Sequence, residues 1–248
     1  APELQQVASV SGVDGFVSVQ ARQSVEETEE LLAISDSEPL IRGVVGWLPL
    51  ADPNVSSLME KFSGRAKLKG IRHVVQDEPD DEFILGADFN RGVGELERFD
   101  WVYDILVFAK QLPASNKFAR QHPNVRMVLD HIAKPAIDPK AEVVDPSWEP
   151  QFRELAKCDN VVCKFSGVVT EVEGWDWSIE TIRPYFEIAL EAFGPKRLMF
   201  GSDWPVCLLA SEYSRWLETV QQLASELSPS EQKNLFYQTA IDTYQLSE

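Results

Sequence analysis

The chain has 248 residues with 40 Asp and Glu against 23 Lys and Arg, a formal charge of -17 that repels a phosphate backbone and argues against general nucleic-acid binding. Its three cysteines, Cys158, Cys163 and Cys207, form no CxxC pair, so a disulfide framework and a zinc knuckle are both unsupported and a reducing cytoplasm is the expected setting. No apolar run reaches the length of a membrane span, nothing at the start resembles an export signal, and the length suits one barrel-sized domain.

In chain order, PELQQVASV reads as a helix, followed by a first strand in DGFVSVQA, residues 14–21. SVEETEELLAIS then opens with Ser24 and carries Glu27 three residues on, which predicts a capping box. Further short apolar runs bounded by turn residues predict strands at 41–50, 68–76, 102–108, 125–135, 160–167 and 197–204. Between them, NVSSLMEKFS, WEPQFRELAKC and SIETIRPYFEIALEAFG show helical spacing, the last ended by Gly194 and Pro195. Residues 78–98 exceed a plain crossover and carry three glycines; they are expected to form a helical insertion near the ligand end.

This alternation predicts an α/β protein with a parallel sheet, undivided by any linker. A doubly wound sheet should carry a Gly-rich phosphate turn, and neither GxGxxG nor GxxxxGK occurs. A (β/α)8 barrel instead gathers functional residues at the C-terminal ends of its strands. Arg72 and His73, His131 and Lys134, Lys164 and Ser166, and Asp203 fall at those positions. Seven strands are one short of closure, so the first strand of the barrel is expected to be missing from the front of this chain.

LKGIRHVVQDEPDDEFI, VLDHIAKP, NVVCKFSGVVTE and LMFGSDWPV together resemble the amidohydrolase-related lactone hydrolases, in order from about Val13 to the end of the chain. The resemblance implies a (β/α)8 barrel that hydrolyses a cyclic ester. It also implies that His131 lies near Asp203 and either binds a metal or donates to the carbonyl. Members of the group normally begin with a strand ending in His-x-His, which supplies two metal ligands, and the three histidines here, His73, His122 and His131, provide no such element. The cofactor expectation is therefore one zinc-like divalent metal on His131 and Asp203, or a metal-free reaction.

Lactone hydrolysis needs an activated water, a positive group near the carbonyl oxygen and a proton for the departing alkoxide. Asp203 is the expected base, with Trp204 as an apolar wall beside it. Arg72 offers a planar fork to a carboxylate or vicinal hydroxyls, and Lys164 a point charge for the oxyanion. His73 points to the opposite strand face from Arg72, and the two rank equally as substrate contacts. Gln20 and Trp47 are weaker candidates for lining the cavity.

Lys134 is expected only to end its strand, His122 to be a solvent-facing cap, and DEPDDE to be a solvated acidic loop. Trp175, Trp177 and Tyr185 are expected in core or lid packing. The favoured function is opening of a sugar-acid lactone of the fuconolactonase-like kind, with a small-molecule partner and no nucleic acid or membrane. A homo-oligomer is compatible with it. The alternatives are a metal-dependent decarboxylase on the same barrel and a non-catalytic, incomplete barrel.

Overall fold

A computed structural model describes residues 2–141 and 143–247. Seven strands form one sheet, parallel throughout and ordered as in the chain: β1 (Phe16–Val19), β2 (Ile41–Gly46), β3 (Leu68–Val74), β4 (Val102–Leu106), β5 (Met127–Leu129), β6 (Val161–Phe165) and β7 (Leu198–Phe200). Helices α1 (Pro2–Ser11), α2 (Val25–Ser37), α3 (Val55–Phe62), α4 (Ala87–Glu95), α5 (Leu112–Gln121), α6 (Trp148–Leu155), α7 (Ile179–Phe193) and α8 (Tyr213–Leu223) precede, connect and follow the strands. The short α9 (Pro229–Lys233) and α10 (Thr239–Tyr244) end the described chain. These are seven strands of a (β/α)8 barrel; among the described residues no strand pairs with the outer edge of β1 or of β7. On that side α1 packs against α8, and Phe16 meets Tyr213 edge-on at 6.4 Å, so the helical layer continues across the opening.

Two apolar layers follow from the alternation of side chains along each strand. The larger lies between the sheet and its helices. The smaller fills the sheet's inner face with Val45, Val102, Val128 and Met199, and Tyr244 of α10 plugs it. The Tyr244 hydroxyl donates to the Asp104 carboxylate, with its oxygens at 2.8 and 3.0 Å, inside this plug. A hydrogen bond to a buried charge contributes about 1.5–3 kcal/mol, so Tyr244→Phe should lose that much stability in urea unfolding while leaving the m-value unchanged.

Local signals worked as expected with two exceptions. Ser24 caps α2 by accepting from the Glu27 amide at 3.1 Å, but the Glu27 carboxylate does not return to Ser24. It accepts instead from the Ala21 and Arg22 amides at 3.0 and 2.6 Å, tying down the turn that leaves β1, so the capping box is half formed. His122 is a half-buried side chain rather than a solvent-facing cap: its Nε2 lies 2.7 Å from Asn90 Oδ1 and its ring sits 4.9 Å from Phe118. The insertion is helical, and its α4 docks at Gly92, where a Cβ would lie 1.9 Å from the Leu50 carbonyl oxygen. No side chain larger than hydrogen fits that approach.

Candidate active site

The chain leaves β5 through four consecutive residues in the left-handed region: His131, Ile132, Ala133 and Lys134, with φ of 54°, 47°, 61° and 48°. Such backbone costs L-residues about 1–2 kcal/mol each, most for a β-branched one such as Ile132, so neighbours must hold it. They are identifiable. Trp148, fully buried on α6, donates its indole N–H to the Ile132 carbonyl at 2.7 Å, and the Lys134 amide closes on the His131 carbonyl at 2.8 Å. The turn rotates the His131 ring over the mouth of the barrel.

There, His131 Nδ1 lies 2.8 Å from Ser166 Oγ and Nε2 lies 3.6 Å from Asp203 Oδ1. Gly167, at φ +65°, leaves room for the ring; a Cβ there would come within 2.8 Å of it. Asp203 itself has φ 55°, and the strand before it is anchored by the Trp216 indole N–H on the Gly201 carbonyl at 2.9 Å. Burial lowers the His131 pKa, although the Asp203 and Asp130 charges oppose it, so the ring is neutral near pH 7. A neutral ring held by Ser166 on one nitrogen presents the other to Asp203 and to whatever sits between them.

Trp148→Phe removes the donor that holds this turn. The expected cost is about 1–3 kcal/mol for an unsatisfied buried carbonyl, together with a fall in kcat as His131 loses its aim, checked by unfolding and steady-state kinetics on the same protein.

Below the mouth lies a buried charge network. Lys164 Nζ sits 2.6 Å from Asp104 and 2.7 Å from Asp130, and Arg72 binds the other Asp130 oxygen at 2.8 Å. Arg72 also donates to the Gln20 carbonyl. Burial drives Asp104 up to about 6 despite Lys164. Burial pushes Asp130 the same way, but Lys164 and Arg72 together hold it well below the usual carboxylate range. Burial would lower Lys164, and the two carboxylates overcome that and keep it protonated. Lys164, expected as a point charge for the oxyanion, is engaged here as the counter-ion of two buried carboxylates.

Arg72 faces inward from β3, as strand parity allows, with its Nε buried and unpartnered; Gln20 donates to the Arg72 carbonyl at 3.1 Å, and its Oε1 is likewise unpartnered. His73 faces the other way. It accepts from Trp47 Nε1 at 3.2 Å, lies 2.7 Å from Glu78, and stacks on Phe83 at 5.0 Å. His73, expected to rank with Arg72 as a substrate contact, lies on the strand face toward the insertion, where the ring and Trp47 form the seat of Phe83. Trp204 is half-buried next to Asp203 in the chain.

Two further residues meet at this mouth: Lys134, expected from the sequence only to end its strand, and Glu171, which the sequence did not single out. Lys134 does more than end a strand: its Nζ lies 3.4 Å from Glu171 Oε1 and 5.5 Å from the Phe108 ring centre. Glu171 follows β6 in a short helical turn, and burial raises its pKa while Lys134 pulls it down. An acidic residue four positions after Gly167 reads as solvated in sequence, and only the return of residues 137 and 173 against it reveals otherwise: Ile137 N donates to the Glu171 carbonyl at 3.3 Å, and Glu173 N to the Ile137 carbonyl at 2.9 Å. Of the aromatic set, Trp177 and Tyr185 are buried and Trp175 is half exposed.

Residues 3–246 match the protein family described as Amidohydrolase. The chain is 42% identical to an L-fucono-1,5-lactonase of Burkholderia multivorans over 256 aligned residues, covering 99% of this chain and 85% of that protein. It is 33% identical to an L-fucono-1,5-lactonase of Burkholderia ambifaria, covering 98% and 84%. A crystal structure of an amidohydrolase from Burkholderia multivorans with bound zinc superposes with a TM-score of 0.94 at 40% identity, covering 99% of this chain and 88% of that one. A catalytic zinc takes three protein ligands and keeps one position open. Among the described residues His131 and Asp203 converge, and no group of three His, Cys, Asp or Glu side chains does. These residues alone are one ligand short of such a site.

Proposed function

The chain belongs to the amidohydrolase family, and from that membership we propose that it opens a sugar-acid lactone by attack of water at the mouth formed by His131, Ser166 and Asp203. The observation that carries this reading is the His131–Asp203 pair, two polar groups aimed at one point where the strands end. Identity to two lactonases over nearly the whole chain supports the substrate class.

Asp203 takes a proton from water as the water oxygen bonds to the lactone carbonyl carbon. His131 Nε2, when Ser166 donates to Nδ1, presents an N–H to the carbonyl oxygen as it becomes negative. Breaking the ring C–O bond releases an alkoxide, and the proton held by Asp203 passes to it, leaving a hydroxy acid. Water and lactone are consumed one for one. Arg72 Nε and Gln20 Oε1 supply a buried donor and acceptor that a polyhydroxy substrate satisfies. The three described cysteines are all free and buried, which agrees with a reducing cytoplasm as the place of reaction.

The discriminating experiment offers the protein a panel of aldono-1,5-lactones, aldono-1,4-lactones and a pyrone lactone, with release of acid as the readout, and a hydroxybenzoate with release of carbon dioxide. Acid from aldonolactones without carbon dioxide is the expected result. Carbon dioxide from the aromatic acid alone would replace the hydrolase with the decarboxylase.

A further inference from the structure

Resting on the lactone reading, we propose that Lys134 and Glu171 form a hydroxyl-reading pair that selects polyhydroxylated lactones at the barrel mouth. Both side chains are 20% exposed, and they come from different segments, the end of the left-handed turn and the turn after β6. The Glu171 turn packs against residues 206–209, which follow Asp203, and its carboxylate is close enough to Asp203 for their charges to interact. Lys134 stands in the same relation to His131. The pair therefore borders the two groups assigned to the chemistry without touching them.

Among the described residues its hydrogen-bonding capacity is largely unused. At 3.4 Å the ion pair is loose, and Lys134 has three donors while a carboxylate has about four acceptor positions. A loose, partly exposed ion pair of this kind contributes modestly to stability, about 1 kcal/mol or less. A hydroxyl is donor and acceptor at once, and two adjacent hydroxyls of an aldonolactone can accept from the ammonium and donate to the carboxylate together. A lactone without hydroxyls leaves both charges without those partners, the situation in which a polar site discriminates most strongly.

The test uses the full chain, Glu171→Gln and Lys134→Met, with an aldono-1,5-lactone and δ-valerolactone, which has the same ring without hydroxyls. Each variant should raise KM for the aldonolactone roughly 10- to 100-fold and change kcat/KM for δ-valerolactone by less than about two-fold, with Tm preserved. Titration with the open-chain aldonate should show the same loss of affinity in the variants. A parallel fall on both lactones, or unchanged KM and unchanged aldonate affinity, would overturn the pair's role. If the unsubstituted chain turns over no aldonolactone, the hydrolase reading fails by itself, because the aldonate titration still reads the pair.

Discussion

Asp203→Asn should abolish turnover: kcat on an aldonolactone falls by roughly 10²- to 10⁴-fold, the usual contribution of a positioned general base, while KM changes little. Asn keeps the shape of the side chain and removes the group that accepts the proton of water. The substitution should not unfold the protein. Asp203 is partly exposed, its carboxylate pairs with His131 at 3.6 Å and with no other cation among the described residues, and the backbone around it is set by Gly201, Trp216 and the Cys207 amide, which donates to the Asp203 carbonyl at 2.8 Å. Equal Tm with lost kcat is thus the expected signature, and steady-state kinetics beside a thermal melt reads both.

The opposite signature is expected from Lys164→Met. The change leaves Asp104 and Asp130 buried with Arg72 as their remaining cation, and removing one partner from a buried ionic group costs about 3–5 kcal/mol. At roughly 2–4 °C per kcal/mol for a chain of this size, Tm should fall by several degrees or more. The sign of the pH dependence follows from Asp104. Its folded pKa, about 6, lies above the unfolded value, so its protonated form is favoured by the fold and stability is lost as pH rises through about 6. Without Lys164 that tendency strengthens, and the deficit of Lys164→Met should shrink when melts are repeated near pH 5. Asp130 acts in the opposite sense: its depressed pKa contributes stability above the unfolded value that is lost on acidification. Adding Asp104→Asn to Lys164→Met should recover part of the loss, since the two residues share one interaction.

Every strand expected from the sequence is present, because short apolar runs between turn residues have few alternatives in a chain that alternates with amphipathic helices. Ends were less legible. The run expected to continue to residue 135 stops at Leu129, since His131 to Lys134 turn left-handed, a conformation imposed by Trp148 and Ser166 from distant parts of the chain. Strand parity resolves Arg72 and His73 to opposite faces but could not say which faced inward. Nor could it reveal that Lys164 meets two carboxylates, because Asp104 lies 60 positions away in sequence. The pairing of Lys134 with Glu171 was hidden for the same reason.

Opening of a sugar-acid lactone through Asp203 is the reaction proposed for this mouth. Initial rates of aldono-1,5-lactone opening, followed by acid release against the spontaneous rate in the same buffer, test it most directly on the folded chain and on Asp203→Asn, each with and without chelator. The expected result is turnover above background by the chain and a rate lower by roughly 10²-fold or more in Asp203→Asn, with the chelator arm reading any contribution of a metal separately. Turnover of Asp203→Asn at the rate of the unsubstituted chain, or no turnover by either well-folded protein, would contradict it.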